Sequence, residues 1–151
     1  MVFSIAYHFL RDSWVAEELA QDVFLHLYQN LNSIESPSHL KYWLRKVISH
    51  RCIDQSRRQR LRPRVGLDQA PEPVAPHRTS DPMLSGLLRR MVASLPPRSR
   101  MIVVLRFQEE MEPGEIAATM DIPLGTVKSN LHRALAVLRG KMERESKGVR
   151  A

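Results

Sequence analysis

Apolar residues in the first third of the chain recur at the spacing of amphipathic helices. Asp12 and Ser13 are both good N-caps, and the apolar stripe that follows them predicts a helix ending near Asn30. The stripe consists of Ala16, Leu19, Ala20, Val23, Leu27 and Leu31. A loop over 32–39 then leads to a second predicted helix over about 40–60. The inner face of this second helix consists of Leu40, Leu44, Val47, Ile48 and Cys52.

The apolar pattern stops over 62–82. Five prolines interrupt this stretch, namely Pro63, Pro71, Pro73, Pro76 and Pro82. A segment with so few apolar residues cannot bury enough surface to offset the entropy lost on ordering. We therefore predict a flexible linker over 62–82, with a domain boundary inside it.

Helical spacing returns after the linker in four segments. The first segment, 83–95, is closed by Pro96 and Pro97, and the second ends near Glu110. A short helix over 113–120 and a longer one over about 124–142 follow. Core candidates in the first two segments are Met83, Leu84, Leu87, Leu88, Met91, Met101, Val104, Leu105 and Phe107.

No segment alternates in the way that predicts a β-strand, so the predicted fold is all-α. It consists of two small helical domains, 1–61 and 83–142, joined by the proline-rich linker. A basic tail over 143–151 is predicted to be a frayed helix end.

Composition narrows the class of protein. Apolar residues make up 43% of the 151 residues but aromatic residues only 6%, which favours aliphatic helical cores. Cys52 is the single cysteine, so a reducing compartment is expected. No apolar run reaches the roughly 18 residues of a membrane span, and 1–10 lacks the features of a signal peptide. These features predict a soluble cytoplasmic protein without membrane insertion.

The net charge of +7 is divided unevenly along the chain. Residues 1–36 have a net charge of −4, whereas 37–64 have +8 and 123–151 have +5. Two basic blocks separated by a neutral stretch indicate two contacts with a polyanion such as DNA. The acidic N-terminal block indicates a different partner.

The segment 114–139 has the layout of a helix-turn-helix. Asp121 stands where the chain must turn, and Ile122 is biased away from helix because Pro123 follows it. Residues spaced to pack inward in the second helix are Val127, Leu131, Ala134, Leu135 and Leu138. The opposite face is polar and basic, as in a helix that enters the major groove. The candidate DNA contacts on it are Thr126, Lys128, Ser129, His132 and Arg133.

Four runs in the second half resemble the promoter-binding domain (region four) of extracytoplasmic-function sigma factors. They are Leu95-Pro96-Pro97-Arg98, 103–107, Glu115-Ile116-Ala117 and 125–134. Output domains of response regulators have similar runs, so the second half alone leaves the family open.

Two runs in the first half resemble region two of the same sigma factors. The run 16–24 is similar to the helix that binds the clamp coiled coil of RNA polymerase. The run 42–54, followed by Arg57 and Arg58, is similar to the helix that handles the upstream promoter element. Both motifs occur in the family's order, and the resemblance covers nearly the whole chain.

The resemblance implies a sigma factor that binds core RNA polymerase and directs promoter-specific initiation. Its first domain would engage the clamp and melt the element just upstream of the start site, and its second would read the farther upstream element. The implied polymerase contacts are Glu18, Gln21, Asp22 and Phe24. The implied first-domain DNA contacts are Lys41, Tyr42, Trp43, Arg45, His50, Arg51, Arg57 and Arg58. A loop over 33–39 would capture an unstacked base, and an anti-sigma factor is an expected partner.

The chain departs from the family at three places. Only 3–10 corresponds to the family's first helix, His50 stands where asparagine is common, and Asn130 stands where arginine is common. The promoter preference of relatives therefore does not carry over. One alternative is a helix-turn-helix regulator of the response-regulator type without sigma activity. A second is an adaptor that binds polymerase or an anti-sigma protein without reading DNA.

No pattern in the chain predicts a catalytic site, a metal or a cofactor. The six glycines are scattered, the six histidines lack metal-ligand spacing, and Cys52 has no partner cysteine. The acidic cluster over 109–115 is predicted to be a solvated helix end rather than a pair of catalytic carboxylates. The chain is therefore not expected to be an enzyme.

Overall fold

The computed structural model describes residues 1–61 and 82–150, and all regular structure in these two ranges is helical. The first range holds three α-helices and a short 3-10 turn, and the second holds four α-helices. The helices are α1 (Val2–Leu10), α2 (Ser13–Gln29), α3 (Pro37–Leu61), α4 (Pro82–Ala93), α5 (Pro97–Phe107), α6 (Pro113–Met120) and α7 (Leu124–Arg150). The predicted all-α fold is confirmed. The predicted linker lies outside the described residues apart from Pro82, where α4 begins.

Local side-chain and backbone chemistry fixes where the helices begin and end. The Asp12 carboxylate accepts a hydrogen bond from the Val15 N–H at 3.1 Å and caps α2. At α6, Glu112 and Glu115 form a capping box, in which the Glu115 carboxylate accepts from the Glu112 N–H at 2.8 Å. Asp121 ends α6 in the left-handed conformation, with φ of 54°, at the turn position that the sequence predicts.

The largest buried cluster draws residues from both halves of the chain. Helix α1 contributes four buried residues, and the stripe of α2 and the inner face of α3 pack against it. Residues of α5, α6 and α7, including Met101, Ile116 and Val127, belong to the same cluster. A smaller cluster joins α4, α5 and α7 and consists of Met91, Leu95, Val103, Ala134 and Leu138. The two halves are therefore packed against each other through α1, α3, α5 and α6.

Several predicted element boundaries differ from the structure. Helix α3 begins at Pro37 rather than near residue 40, because proline suits the first turn of a helix. The predicted base-capturing loop over 33–39 therefore reduces to Ile34–Ser36, between the 3-10 turn and α3. Helix α5 ends at Phe107 instead of near Glu110. Helix α7 continues to Arg150, beyond the predicted end near residue 142.

Some predicted core residues are exposed. Leu31 lies in the 3-10 turn, which rotates it off the α2 stripe, and it is half exposed. Leu88, Phe107 and Leu135 line an open, mostly apolar groove of about 370 Å³ between α1, α4, α5 and α7. Phe107 is 58% exposed and Leu135 39%, because the inward faces of their helices are already filled by neighbouring positions such as Leu105 and Ala134.

Candidate nucleic-acid and polymerase interfaces

Helices α6 and α7 form the helix-turn-helix, and the start of α7 presents a polar surface. Buried Ile116 on α6 and buried Val127 on α7 lie in the same cluster and hold the two helices together. The candidate contacts Lys128, Ser129, His132 and Arg133 are all exposed, and Thr126 is half-buried. The structure therefore brings the predicted DNA contacts of the second half onto one open face.

Asn130, which stands where the resembled family commonly has arginine, makes structural contacts. Its amide nitrogen donates to the Thr126 carbonyl at 2.8 Å, and its amide oxygen accepts from the Ser99 hydroxyl at 3.1 Å. Asn130 is half-buried, and its bond with Ser99 joins α7 to the start of α5, while the bond to Thr126 lies within α7. The residue thus fixes the angle between two helices of the second half.

The acidic face of α2 carries the predicted polymerase contacts. Glu18, Gln21, Asp22 and Phe24 are all exposed. Leu25 and Tyr28 extend this face and are also exposed, Tyr28 by 74%. The sequence pattern missed them, although large apolar side chains off the buried stripe are a detectable signal. The Asp22 carboxylate lies 3.8 Å from the Arg51 guanidinium. This ion pair links the acidic face of α2 to the basic helix α3.

Apart from Arg51, which pairs with Asp22, the predicted DNA contacts of α3 fall into three groups. Lys41, Arg57 and Arg58 are exposed, and Arg57 lies 4.0 Å from Asp54 within the helix. Trp43 is half-buried against the main cluster, with its ring edge-on to the His26 ring at a centroid distance of 5.2 Å. The third group consists of Tyr42, Arg45 and His50, which contact residues of the second half of the chain.

Three polar side chains of α3 contact the end of α6 or the turn between α6 and α7. The Tyr42 hydroxyl donates to the Ala118 carbonyl at 3.2 Å, and His50 Nε2 lies 4.0 Å from the Asp121 carboxylate. Between them, Lys46 Nζ donates to Asp121 at 3.1 Å, and this hydrogen bond raises the pKa of Lys46. The sequence pattern missed Lys46, although its spacing of four residues from Tyr42 and from His50 places it on the same helical face.

A fourth contact between the two halves is more deeply buried. The Arg45 guanidinium lies 3.9 Å from the Glu109 carboxylate, and the two side chains are only 14% and 10% exposed. Glu109 is thus an ion-pair partner across the two halves. The prediction that 109–115 is a solvated helix end is wrong for Glu109, which is largely buried, whereas Glu110, Glu112 and Glu115 are exposed and the last two cap α6.

Among the described residues, neither a reactive thiol nor a metal-binding cluster is found. Cys52 is fully buried, and burial raises the pKa of its thiol to about 12, so the thiolate is scarce at neutral pH. Among residues 1–61 and 82–150, no group of three or more His, Cys, Asp or Glu side chains is arranged to hold a metal ion. Within the same ranges, none of the helices combines the length and apolar character needed to cross a membrane.

In a comparison with known proteins, both halves of the chain match families of sigma-70 regions. Residues 1–62 match the family described as Sigma-70 region 2, and 85–138 match Sigma-70, region 4. The RNA polymerase sigma-E factor of Streptomyces coelicolor is 33% identical over 90% of this chain and 76% of its own length. The extracytoplasmic-function sigma factor SigW of Bacillus subtilis is 25% identical over 93% of this chain and 82% of its own length.

A solved structure shares the fold. The sigma factor RpoE from Bartonella quintana, crystallised in complex with the anti-sigma factor NepR, superimposes with a TM-score of 0.73. The match covers 94% of this chain and 89% of that chain, at 21% sequence identity.

Proposed function

Since this chain belongs to the extracytoplasmic-function sigma factors of RNA polymerase, we propose specific surfaces for its two tasks, polymerase binding and promoter recognition. The proteins of this family direct promoter-specific transcription initiation. In this chain, the acidic face of α2 binds the polymerase clamp, and the exposed face at the start of α7 reads the farther upstream promoter element.

One observation carries this proposal. A single chain holds a region-two match with an exposed acidic helix face and, after it, a region-four match with an exposed basic face on a helix-turn-helix. A regulator of the response-regulator type would not need the region-two match with its acidic face. An adaptor would not need the helix-turn-helix with its basic face. The sigma activity therefore explains both halves, and the two alternatives each explain one.

The basic helix α3 is proposed to hold the promoter strand near the start site. Lys41, Arg57 and Arg58 are placed to follow phosphates because they are exposed along one helix. Tyr42 is the better candidate for stacking on an unpaired base, because the residue is 40% exposed while Trp43 packs against the core.

The proposal includes the partners and the setting. Core RNA polymerase and promoter DNA are the direct partners, and an anti-sigma factor is proposed as a regulator because the structurally similar RpoE was crystallised with one. Because these proposed partners act in the bacterial cytoplasm, we propose that location for this protein. The chain supplies binding surfaces, and we assign the chemistry of RNA synthesis to the polymerase.

Transcription in vitro tests the proposal. Core RNA polymerase incubated with this chain should produce defined transcripts from a library of promoter fragments, whereas core alone should not. A matched reaction with polymerase that already carries a housekeeping sigma factor serves as the control. Transcripts that change only in that control reaction would indicate a regulator without sigma activity, and no change in either would reject the proposal.

A further inference from the structure

A polar contact joins the first turn of α5 to the N-terminal part of α7. Ser99 is the third residue of α5, and its hydroxyl donates to the Asn130 amide oxygen at 3.1 Å. Both residues are half-buried. In the part of the chain that the structure describes, no other side-chain hydrogen bond or ion pair joins these two helices. The relative orientation of α5 and α7 therefore has a single polar determinant among the described side chains.

The Asn130 amide is held in place by its own helix. Its nitrogen donates to the Thr126 carbonyl at 2.8 Å, one turn earlier in α7. Because the nitrogen is engaged there, the amide oxygen faces α5 and accepts the bond from Ser99. The acceptor that Ser99 meets is thus already oriented by α7.

The rest of the contact between α5 and α7 is apolar. Val103 of α5 lies in one cluster with Ala134 of α7. Val127 of α7 is buried in the main cluster, to which α5 contributes Met101. Apolar contacts are non-directional, so they allow small rotations of one helix against the other. A hydrogen bond weakens steeply away from its preferred angle, so the polar contact is the part that restricts such rotations.

The polar contact lies among the residues that are proposed to read the promoter. Asn130 directly follows Ser129 in the sequence and precedes Arg133 by three residues. Lys128, Ser129, His132 and Arg133 are exposed, whereas the Asn130 amide turns inward to α5. Hydrogen bonds to base edges require donor–acceptor distances of about 2.7–3.2 Å, and a rotation of α7 would change all of these distances together.

We propose that Ser99 and Asn130 are positioning residues for promoter recognition, whose hydrogen bond sets the orientation of α7 in the major groove without either residue contacting a base. This inference rests on the proposed function, because it assumes that α7 reads the farther upstream element. Loss of the bond lets α7 adopt orientations in which its exposed side chains meet base edges less well. Contacts to phosphates carry no sequence information, so binding to scrambled DNA is affected much less.

The strength of the bond limits the size of the effect. A neutral hydrogen bond shifts the equilibrium between two arrangements by about two- to tenfold in net terms. Ser99→Ala and Asn130→Ala should therefore lower promoter selectivity by similar factors within this range. The double variant should lose no more than the larger single loss, because the same bond is absent in each.

The experiment compares DNA affinities of the holoenzyme formed with core RNA polymerase. One probe is the fragment that gives the strongest transcript in the promoter library, and the other is the same fragment with its farther upstream element scrambled. Ser99→Ala, Asn130→Ala and the double variant are measured with both. Ser146→Ala is the matched control, since its hydroxyl bonds only within α7, to the Glu143 carbonyl at 3.1 Å. Ser99→Thr keeps a hydroxyl that can donate to Asn130.

We expect the ratio of the two affinities to fall about two- to tenfold in Ser99→Ala, in Asn130→Ala and in the double variant. Ser99→Thr and Ser146→Ala should keep the ratio of the parent. In the promoter library, Ser99→Ala should weaken the base preference at several adjacent base pairs, because all of the recognition face is reoriented. Circular dichroism checks that helicity is kept, and if Asn130→Ala loses it, Ser99→Ala alone provides the test.

Three outcomes would overturn the positioning role. An unchanged ratio in Ser99→Ala beside a lower one in Asn130→Ala would indicate that Asn130 contacts DNA itself. Equal losses on the two fragments would indicate a role in stability alone. A fall in Ser99→Thr as large as in Ser99→Ala would indicate packing rather than the hydrogen bond.

Failure of the proposed function would be recognised separately. In that case the parent chain gives no transcripts with core polymerase and no preference between the two fragments. A parent that supports transcription and prefers its promoter, with the same preference in Ser99→Ala, would leave the sigma function in place and remove only the positioning role.

Discussion

The exposed side chains of α7 and α3 are suited to different parts of a DNA duplex. Arg133 lies on the open face of α7 that we propose reads base edges, whereas Arg57 lies near the end of α3, where we propose that it contacts the phosphate backbone. Replacing each arginine therefore probes a different kind of contact.

Arg133→Ala should cost about 1–3 kcal/mol on the preferred upstream element and much less on scrambled DNA, because a base contact is lost. Arg57→Ala should weaken binding to all sequences alike and lower the salt slope by about one unit. Both variants are measured as holoenzyme on matched promoter and scrambled fragments. An unchanged ratio between the two fragments for Arg133→Ala would show that α7 does not read bases through this residue.

Asp22 is the residue whose proposed role in polymerase binding is easiest to separate from its role in the fold. It is exposed on α2 and pairs with Arg51 at 3.8 Å. Asp22→Lys should weaken binding to core polymerase while helicity is kept, because a negative charge facing the clamp is reversed. Arg51→Ala removes the same ion pair but keeps the carboxylate, so its core affinity should match the parent. Equal losses in the two variants would mean that Asp22 acts only through Arg51.

At the scale of elements, the N-terminus of α2 depends on one side chain. The Asp12 carboxylate accepts the Val15 N–H, which otherwise has no partner within the helix. Asp12→Ala should lower the free energy of unfolding by about 1 kcal/mol, and Asp12→Asn should lower it less, because asparagine keeps a capping oxygen. Urea titration followed by circular dichroism measures both. A loss as large for Asp12→Asn as for Asp12→Ala would point to charge rather than capping.

The helix-turn-helix shows how far element boundaries follow from local sequence. The bounds of α6 match the predicted 113–120, since Pro113 starts it, the Glu112–Glu115 box caps it and Asp121 ends it. The end of α7 does not follow from local signals in the same way, because the sequence predicts an end near residue 142 and the helix continues to Arg150. Strong helix caps can be recognised in a sequence, whereas the end of a helix that lacks such a cap cannot be located from the sequence.

At the scale of the whole molecule, α1 joins the two halves. Phe9 is fully buried, its ring lies 4.9 Å below the Arg100 guanidinium, and its carbonyl accepts from Arg100 at 3.3 Å. Burial, together with the nearby charge of Arg60, lowers the pKa of Arg100. The contact between α1 and α5 is therefore a cation over an aromatic ring, closed by a hydrogen bond.

Phe9→Ala should lower the free energy of unfolding by about 3–5 kcal/mol, because it empties the centre of the shared cluster. Phe9→Leu, which keeps most of the volume, should cost about 1.5 kcal/mol or less. Native-state hydrogen exchange measures the effect on each helix, and exchange should accelerate in α5 and α6 as well as in α1–α3. Acceleration confined to α1–α3 would show that the second half holds its structure independently of this contact.

The sequence by itself determined the helices, their caps and the family. Helical spacing, the N-caps and the Pro-rich break depend on neighbours a few residues apart, so they are readable along the chain. The predicted recognition residues lie on one exposed face of α7 for the same reason. Only the tertiary structure decided which polar residues pair across the halves, such as Arg45 with Glu109 and Lys46 with Asp121. Those pairs join positions more than sixty residues apart, and their distance depends on how separate helices pack, which no local pattern encodes.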